Sequence, residues 1–254
     1  MLKKALLKTG FVSHSIWLLT PTPFQADVQV RYTATISTSF IADTVDTGVN
    51  RTVDTTMATS PDSASRINTV TVAYIKPSKY VAKYVESFLK REDESLQKIR
   101  GKSPTYFRII DKVFTEYDLP LELKYLAVVE SDLNTKALSR VGARGIWQLM
   151  PVTARELGLK VSGSTDERTH VYKSTVAVAK YLRYLYAQFD DWLLVMAAYN
   201  SGPGTVLKAI KTRGTRNFWL LQNHLPQESK LHVKRFIGVH YFFEENGSDV
   251  TKGS

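Results

Sequence analysis

The sequence predicts a mainly α-helical domain behind a long N-terminal segment that lacks a core of its own. Two observations predict it. From about residue 78 onward, apolar side chains return every three or four positions with charges between them, the period of a helix with one buried face. Between residues 27 and 72, large apolar groups are sparse and Thr, Ser, Asp and Val dominate, too little apolar material to offset the ordering of the chain. No stretch of the later region reads as a strand-rich domain.

A chain of 254 residues has room for one globular domain and accessory segments. The absence of cysteine excludes disulfides, thiolate metal sites and a cysteine nucleophile. For the same reason no lipid anchor through a cysteine is expected. The formal net charge of +10 draws the protein toward polyanions such as nucleic acid, anionic membranes or a bacterial wall. An ordinary solvated basic face accounts for it equally well. Lys and Arg form no run of five, and neither an aromatic RNA-binding motif nor zinc-finger spacing is present. Nucleic acid is therefore not an expected partner.

Residues 1–26 have the outline of a secretory signal peptide: Lys3 and Lys4, a mostly apolar run from Ala5 to Leu19, and a small residue at Ala26. Lys8 and His14 interrupt that run, so an ordinary N-terminal helix or leader is the alternative. A signal peptide implies export, to the periplasm or cell envelope of a bacterium. No other segment approaches the ~18 apolar residues of a membrane span. Residues 27–75 read as a Thr/Ser-rich flexible segment, or as weak strands, because Thr and Val favour extended backbone.

The catalytic domain is expected over 76–247, with a tail at 248–254. Val81, Tyr84, Val85, Phe88, Leu89, Leu96 and Ile99 mark a first helix, and Lys102-Ser103-Pro104 a break. A second helix is predicted through Tyr106, Ile109, Ile110, Val113, Phe114 and Tyr117. Asp118-Leu119-Pro120 opens a third, with Pro120 near its first turn and Glu122 favourable there, running to Glu130. VGARGIWQLMP is turn-rich and leads to a short helix, VTARELGL, closed by Gly158. KVSGSTDERTHV reads as a polar loop. KSTVAVAKYLRYLYAQF forms a long helix, and DDWLLVMAAYN another that Asp190 or Asp191 caps. SGPG breaks that helix, VLKAIKTR restarts it, and HVKRFIGVHYFFEEN is the last.

Glu130 is the first candidate for chemistry. It ends the apolar run Tyr125–Val129, with Leu126 one turn earlier on its face. Low polarity favours the protonated carboxyl, so its pKa is expected to rise, as a general acid near neutral pH requires. Local capping or pairing at a helix end is the alternative. In Gly142-Ala143-Arg144-Gly145-Ile146-Trp147-Gln148, the glycines allow close backbone approach to a ligand. Trp147 offers an apolar face for a sugar ring and Gln148 hydrogen bonds of both kinds. A structural turn with a core Trp explains the same residues. Ala198-Tyr199-Asn200-Ser201-Gly202 sets a phenol and an amide beside a glycine turn, or simply ends a helix.

Together, Glu130-Ser131, GARGIWQLM and AYNSG, in this order and spacing, resemble the catalytic domain of the Slt-type lytic transglycosylases (family 1), of the membrane-bound D type. The resemblance has its motif core in residues 103–213. It implies a mainly α, lysozyme-like (goose-type lysozyme/Slt) fold and cleavage of the bond between N-acetylmuramic acid and N-acetylglucosamine in peptidoglycan. It implies no cofactor and no metal. Glu130 would be the single acid/base and Ser131 would order it. Ser139, Gly145, Trp147, Gln148 and Met150 would bind substrate or shape the groove. Tyr199 would hydrogen-bond the catalytic carboxyl and Asn200 would shape the site.

The expected reaction consumes no water and closes a 1,6-anhydromuramoyl ring. Asp166, Glu167, Asp190 and Asp191 stand in polar or capping contexts, and Asp132 is turned about 200° from Glu130 round a helix, so no strong second carboxylate is evident. Asp132 and Thr135 depart from the family's usual small or apolar residue and proline. D-type relatives often carry C-terminal wall-binding repeats. None follows within these 254 residues, so wall retention is expected to rest on the groove and the basic charge. A muramidase hydrolysing the same bond and a catalytically inactive wall-binding module are the alternatives.

Overall fold

The computed structural model describes residues 78–252. The expected signal segment at 1–26 and Thr/Ser-rich segment at 27–75 lie outside the described residues. The described part is helical apart from turns and one short hairpin. Among the described residues, no helix is long and apolar enough to cross a membrane.

Helix α1 runs unbroken from Ala82 to Glu116, with Pro104 inside it. The predicted break at 102–104 is therefore corrected. Proline removes the N–H that would bond the carbonyl of Arg100, a cost of about 3 kcal/mol in a free helix. The Ser103 hydroxyl donates to that carbonyl instead, at 3.0 Å. Burial settles the outcome: Leu96, Ile99, Ser103, Phe107, Ile110, Val113 and Phe114 form one stripe spanning the proline. The stripe packs on α4 (Val171–Phe189) and α8 (Gln227–Glu244). The approach to α8 is close, since a Cβ on Gly238 would lie 2.5 Å from the Phe88 ring.

Pro120 stands before a short 3-10 turn, Leu121–Lys124, rather than inside a helix. That turn runs into α2, Tyr125–Ser131, whose Tyr125 to Val129 are all buried. Asp132 and Leu133, both left-handed at φ 53° and 60°, stop α2 directly after Glu130-Ser131. Leu133 is itself buried, and its N–H returns to the Ala127 carbonyl at 3.3 Å, closing the helix end.

Helix α3, Pro151–Glu156, starts with proline in its first turn, and Gly158 follows it at φ 85°. The expected polar loop contains an antiparallel hairpin, β1 Val161–Ser162 with β2 Thr165–Asp166. Two residues per strand are too few for a readable alternation. Helix α5, Trp192–Ser201, is capped by Asp191, whose carboxylate accepts from the Leu194 N–H at 2.9 Å. This decides between Asp190 and Asp191. Leu193 to Ala198 are buried on every side, so α5 is the core helix. Gly202 at φ 82° and Pro203 turn the chain into α6, Pro203–Arg213.

After the four-residue helix α7, Phe218–Leu221, helix α8 begins at Gln227 behind Pro226, five residues before the predicted start at His232. A last turn, α9 Asp249–Lys252, lies where a tail was expected. Val250 and Thr251 are buried there, because α9 packs on α5.

Candidate active site

Glu130 sits at the end of α2, where the buried helix meets the surface. Its side chain retains 13% exposure. One carboxylate oxygen, Oε1, lies 2.9 Å from Nε2 of His232, whose side chain is 3% exposed. His232 comes from the second turn of α8, and the packing of α2 against α8 brings together residues 102 positions apart.

The sequence reading missed His232. The available signal was its place on the buried stripe of α8, with Ser229, Val233, Phe236, Ile237 and His240 at helical spacing. Beginning the helix at His232 hid that stripe, because it put the residue at an end.

Ser131 faces the turn region that follows. Its hydroxyl lies 2.9 Å from the Ile146 carbonyl and accepts from the Asn134 N–H at 3.2 Å. The next carbonyl, of Trp147, accepts the Tyr199 hydroxyl at 2.7 Å. Two consecutive carbonyls of the 142–150 turn are thus held by α2 and by α5. This corrects the expected partner of Tyr199: its hydroxyl bonds the turn and not the Glu130 carboxyl. Burial of the phenol, then the nearby Glu130 charge, hold the Tyr199 pKa well above its ordinary value. The hydroxyl therefore keeps the hydrogen it donates.

Tyr199→Phe leaves the Trp147 carbonyl without its donor. A loss of about 1–3 kcal/mol is expected in urea unfolding, together with slower turnover from a looser turn. Parent stability and rate in this variant would remove Tyr199 from the site's support.

Trp147 is fully buried, its Nε1–H donates to Thr175 Oγ1 at 3.1 Å, and its ring lies 5.8 Å from that of Phe114. It is a core residue and presents no face to a sugar, so of the two explanations for this motif the structural one holds. The close approach expected at Gly145 is made to the chain itself. Gly145 has φ 81°, and a Cβ there would fall 2.0 Å from the carbonyl oxygen of Arg168. Ser139 accepts from the Ala143 N–H at 2.9 Å and fastens the same turn. Gln148, left-handed at φ 48°, donates from its amide to the Gly145 carbonyl at 2.9 Å. Met150 is half-buried at the entry to α3. Asn200 accepts the Ser229 hydroxyl at 2.8 Å, joining the end of α5 to the α8 turn that precedes His232.

Arg168, 5% exposed, was also missed. Its guanidinium donates to the carbonyls of Gly142 and Leu149 at 2.7 and 2.8 Å. It also grips Asp166 through Nε and Nη2 at 2.9 and 2.7 Å. Those bonds hold the Asp166 carboxyl below its usual range. No local periodicity marks an arginine of this kind.

The other carboxylates weighed from the sequence are committed elsewhere. Asp166 pairs with Arg168, and Asp191 caps α5. Glu167 accepts from Lys160 N and Lys173 Nζ at 2.7 and 2.6 Å. Asp190 ends α4 in a left-handed conformation, and Asp132 is exposed at the end of α2. Glu130, Ser131, Tyr199 and the Ile146–Trp147 carbonyls therefore form one connected unit, with His232 bonded to its carboxylate.

Residues 109–222 match the family model of the transglycosylase SLT domain. The membrane-bound lytic murein transglycosylase D of Escherichia coli K12 is 38% identical over 169 residues, which cover 65% of this chain and 35% of that protein. The peptidoglycan transglycosylase gp16 of Escherichia phage T7 is 39% identical over 90 residues, 35% of this chain and 7% of that one. The chain thus spans about a third of the first relative's length and much less of the second's. Among solved structures, the 70-kDa soluble lytic transglycosylase in complex with bulgecin A superposes with a TM-score of 0.52 at 19% identity. It covers 68% of this chain and 30% of that one, a likeness of fold. Together with the helical architecture, these matches show that residues 109–222 carry a transglycosylase SLT domain, on a mainly α, lysozyme-like fold like that of the soluble lytic transglycosylase.

Proposed function

We propose that the protein is an exported peptidoglycan lytic transglycosylase that cleaves the β-1,4 bond between N-acetylmuramic acid and N-acetylglucosamine with Glu130 as its acid/base. The observation that carries this reading is the placement of Glu130: a mostly buried carboxyl at a helix end, while Asp166 and Glu167 are tied into pairs, Asp191 into a cap, and Asp132 and Asp190 stand exposed. Glycoside hydrolysis ordinarily uses two carboxyl groups about 5–9.5 Å apart. A transglycosylase needs one.

In the first step the protonated Glu130 gives its hydrogen to the glycosidic oxygen as the bond to the muramoyl C1 breaks. In the second, the resulting carboxylate takes the hydrogen of the muramoyl C6 hydroxyl while that oxygen bonds C1. The products are a free N-acetylglucosamine 4-hydroxyl and a 1,6-anhydromuramoyl end. Glu130 is restored and water is not consumed. The muramoyl N-acetyl group assists at C1.

Ser139, Gln148 and Met150 line the glycan path in this reading. Ser131, Gly145, Trp147, Tyr199 and Asn200 hold its walls without touching sugar. The net charge of +10 favours approach to an anionic wall, and the signal-like residues 1–26 support export to the periplasm or envelope.

Purified protein incubated with sacculi should release soluble muropeptides whose muramoyl ends are about 20 Da lighter than the borohydride-reduced hydrolysis product, the mass of one water and two hydrogens, read by mass spectrometry. Reducing ends in their place would identify a muramidase. Binding without release would identify a silent wall-binding module.

A further inference from the structure

We infer that His232 is a positioning residue that fixes the Glu130 carboxyl and assigns the reactive proton to Oε2. The inference rests on the reading of Glu130 as the acid/base. His232 Nε2 lies 2.9 Å from Glu130 Oε1 and the ring is almost wholly buried, while Nδ1 is buried without a hydrogen-bond partner. A hydrogen placed on Nδ1 would be a buried donor with no acceptor, the costlier kind of orphan. An unused Nδ1 lone pair costs less. The ring hydrogen therefore sits on Nε2 and points at Oε1.

Three consequences follow from that one hydrogen. Oε1 is engaged as an acceptor, so the carboxyl's own hydrogen resides on Oε2. The rotation of the carboxyl about its last bond is fixed, which aims Oε2 at the substrate. Once Oε2 has given up its hydrogen, the Nε2–H···Oε1 bond becomes charge-assisted and stabilises the carboxylate left behind.

The support for the ring is built into the fold. Ser229, one turn earlier on α8, donates to Asn200 at 2.8 Å and ties the helix start to α5. Tyr199, the other titratable side chain whose charge interaction with Glu130 is evident, is occupied with the Trp147 carbonyl. Neither offers Glu130 a second donor, so the orientation of the carboxyl depends on His232.

The test uses the full chain acting on sacculi. His232→Phe should lower kcat for anhydromuropeptide release about 10- to 100-fold with KM little changed, because the ring orients the acid and touches no sugar. His232→Gln, whose amide nitrogen reaches the position of Nε2, should recover most of that loss. A nitrogen-15 histidine spectrum of the parent should show Nε2 bearing the hydrogen, with the His232 signal assigned by its absence in His232→Gln.

Parent kcat in a folded His232→Phe would overturn the inference. So would a glutamine variant no better than phenylalanine, or a hydrogen found on Nδ1. Should the phenylalanine variant fail to fold, the glutamine variant and the spectrum still decide. If the parent releases no anhydromuramoyl ends, the functional reading fails separately, and the spectrum still judges the His232 contact.

Discussion

Glu130→Gln should lower the release of anhydromuropeptides roughly 10²–10⁴-fold, the range lost with a general acid, while leaving the fold intact. The amide keeps the shape of the carboxyl. Its oxygen still accepts from His232, so the 2.9 Å contact survives the substitution. The nitrogen cannot deliver a proton to a leaving oxygen, and it leaves no carboxylate to take one back from the C6 hydroxyl. Unfolding by urea should shift by less than about 1 kcal/mol, since one hydrogen bond is weakened and no cavity is opened. Wall binding should persist, because the substitution keeps the side chain's shape and leaves Ser139, Gln148 and Met150 unchanged. Measuring muropeptide release and sacculus binding on the same preparation separates the chemical loss from misfolding. Parent-rate digestion by Glu130→Gln would end the assignment of Glu130 as acid/base.

Glu130 was legible because its neighbours are local. The run Tyr125–Val129 announces a buried helix, and a carboxylate ending such a run is conspicuous in any frame. Asp191 was legible for the same reason, since a cap lies within three residues of the N–H it serves. His232 and Arg168 were not. Each acts across long stretches of sequence, 102 residues from His232 to Glu130 and 19 and 26 from Arg168 to its carbonyl partners. Only the packing of α8 on α2, and of the 3-10 turn Glu167–Thr169 under the 142–150 turn, reveals them.

Pro104 was misread for a different reason. Local propensity favours a break, but a continuous buried stripe and the Ser103 hydroxyl outweigh one missing N–H. Trp147 shows the limit of reasoning from residue type. A tryptophan beside glycines suits a sugar platform and a core plug equally well, and its full burial decides for the plug. The motif around it therefore records how the turn is held beside Glu130 more than how substrate is touched.

That distinction predicts the second large effect. Gly145→Ala should destabilise the domain by roughly 2–5 kcal/mol, from a left-handed backbone now carrying a Cβ and from overpacking. The new methyl would lie 2.0 Å from the Arg168 carbonyl oxygen and 2.8 Å from its carbon. Backbone cannot swing aside as a side chain can, and this backbone is pinned through the Arg168 guanidinium to Asp166, Gly142 and Leu149. Gly142→Ala is the matched control: φ is 88° there and nothing lies within 4 Å of the added Cβ. It should lose only the backbone preference, about 1–2 kcal/mol. Urea unfolding of the two variants therefore isolates the steric contribution. The same contact bears on chemistry, because a displaced Gly145 carries with it the next two carbonyls, which anchor Ser131 and Tyr199 beside Glu130. Gly145→Ala should thus lose turnover even under conditions where it remains folded, whereas Gly142→Ala should retain it. Equal losses of stability in the two variants would mean that the Arg168 backbone yields, and that the turn is held more loosely than its hydrogen bonds indicate.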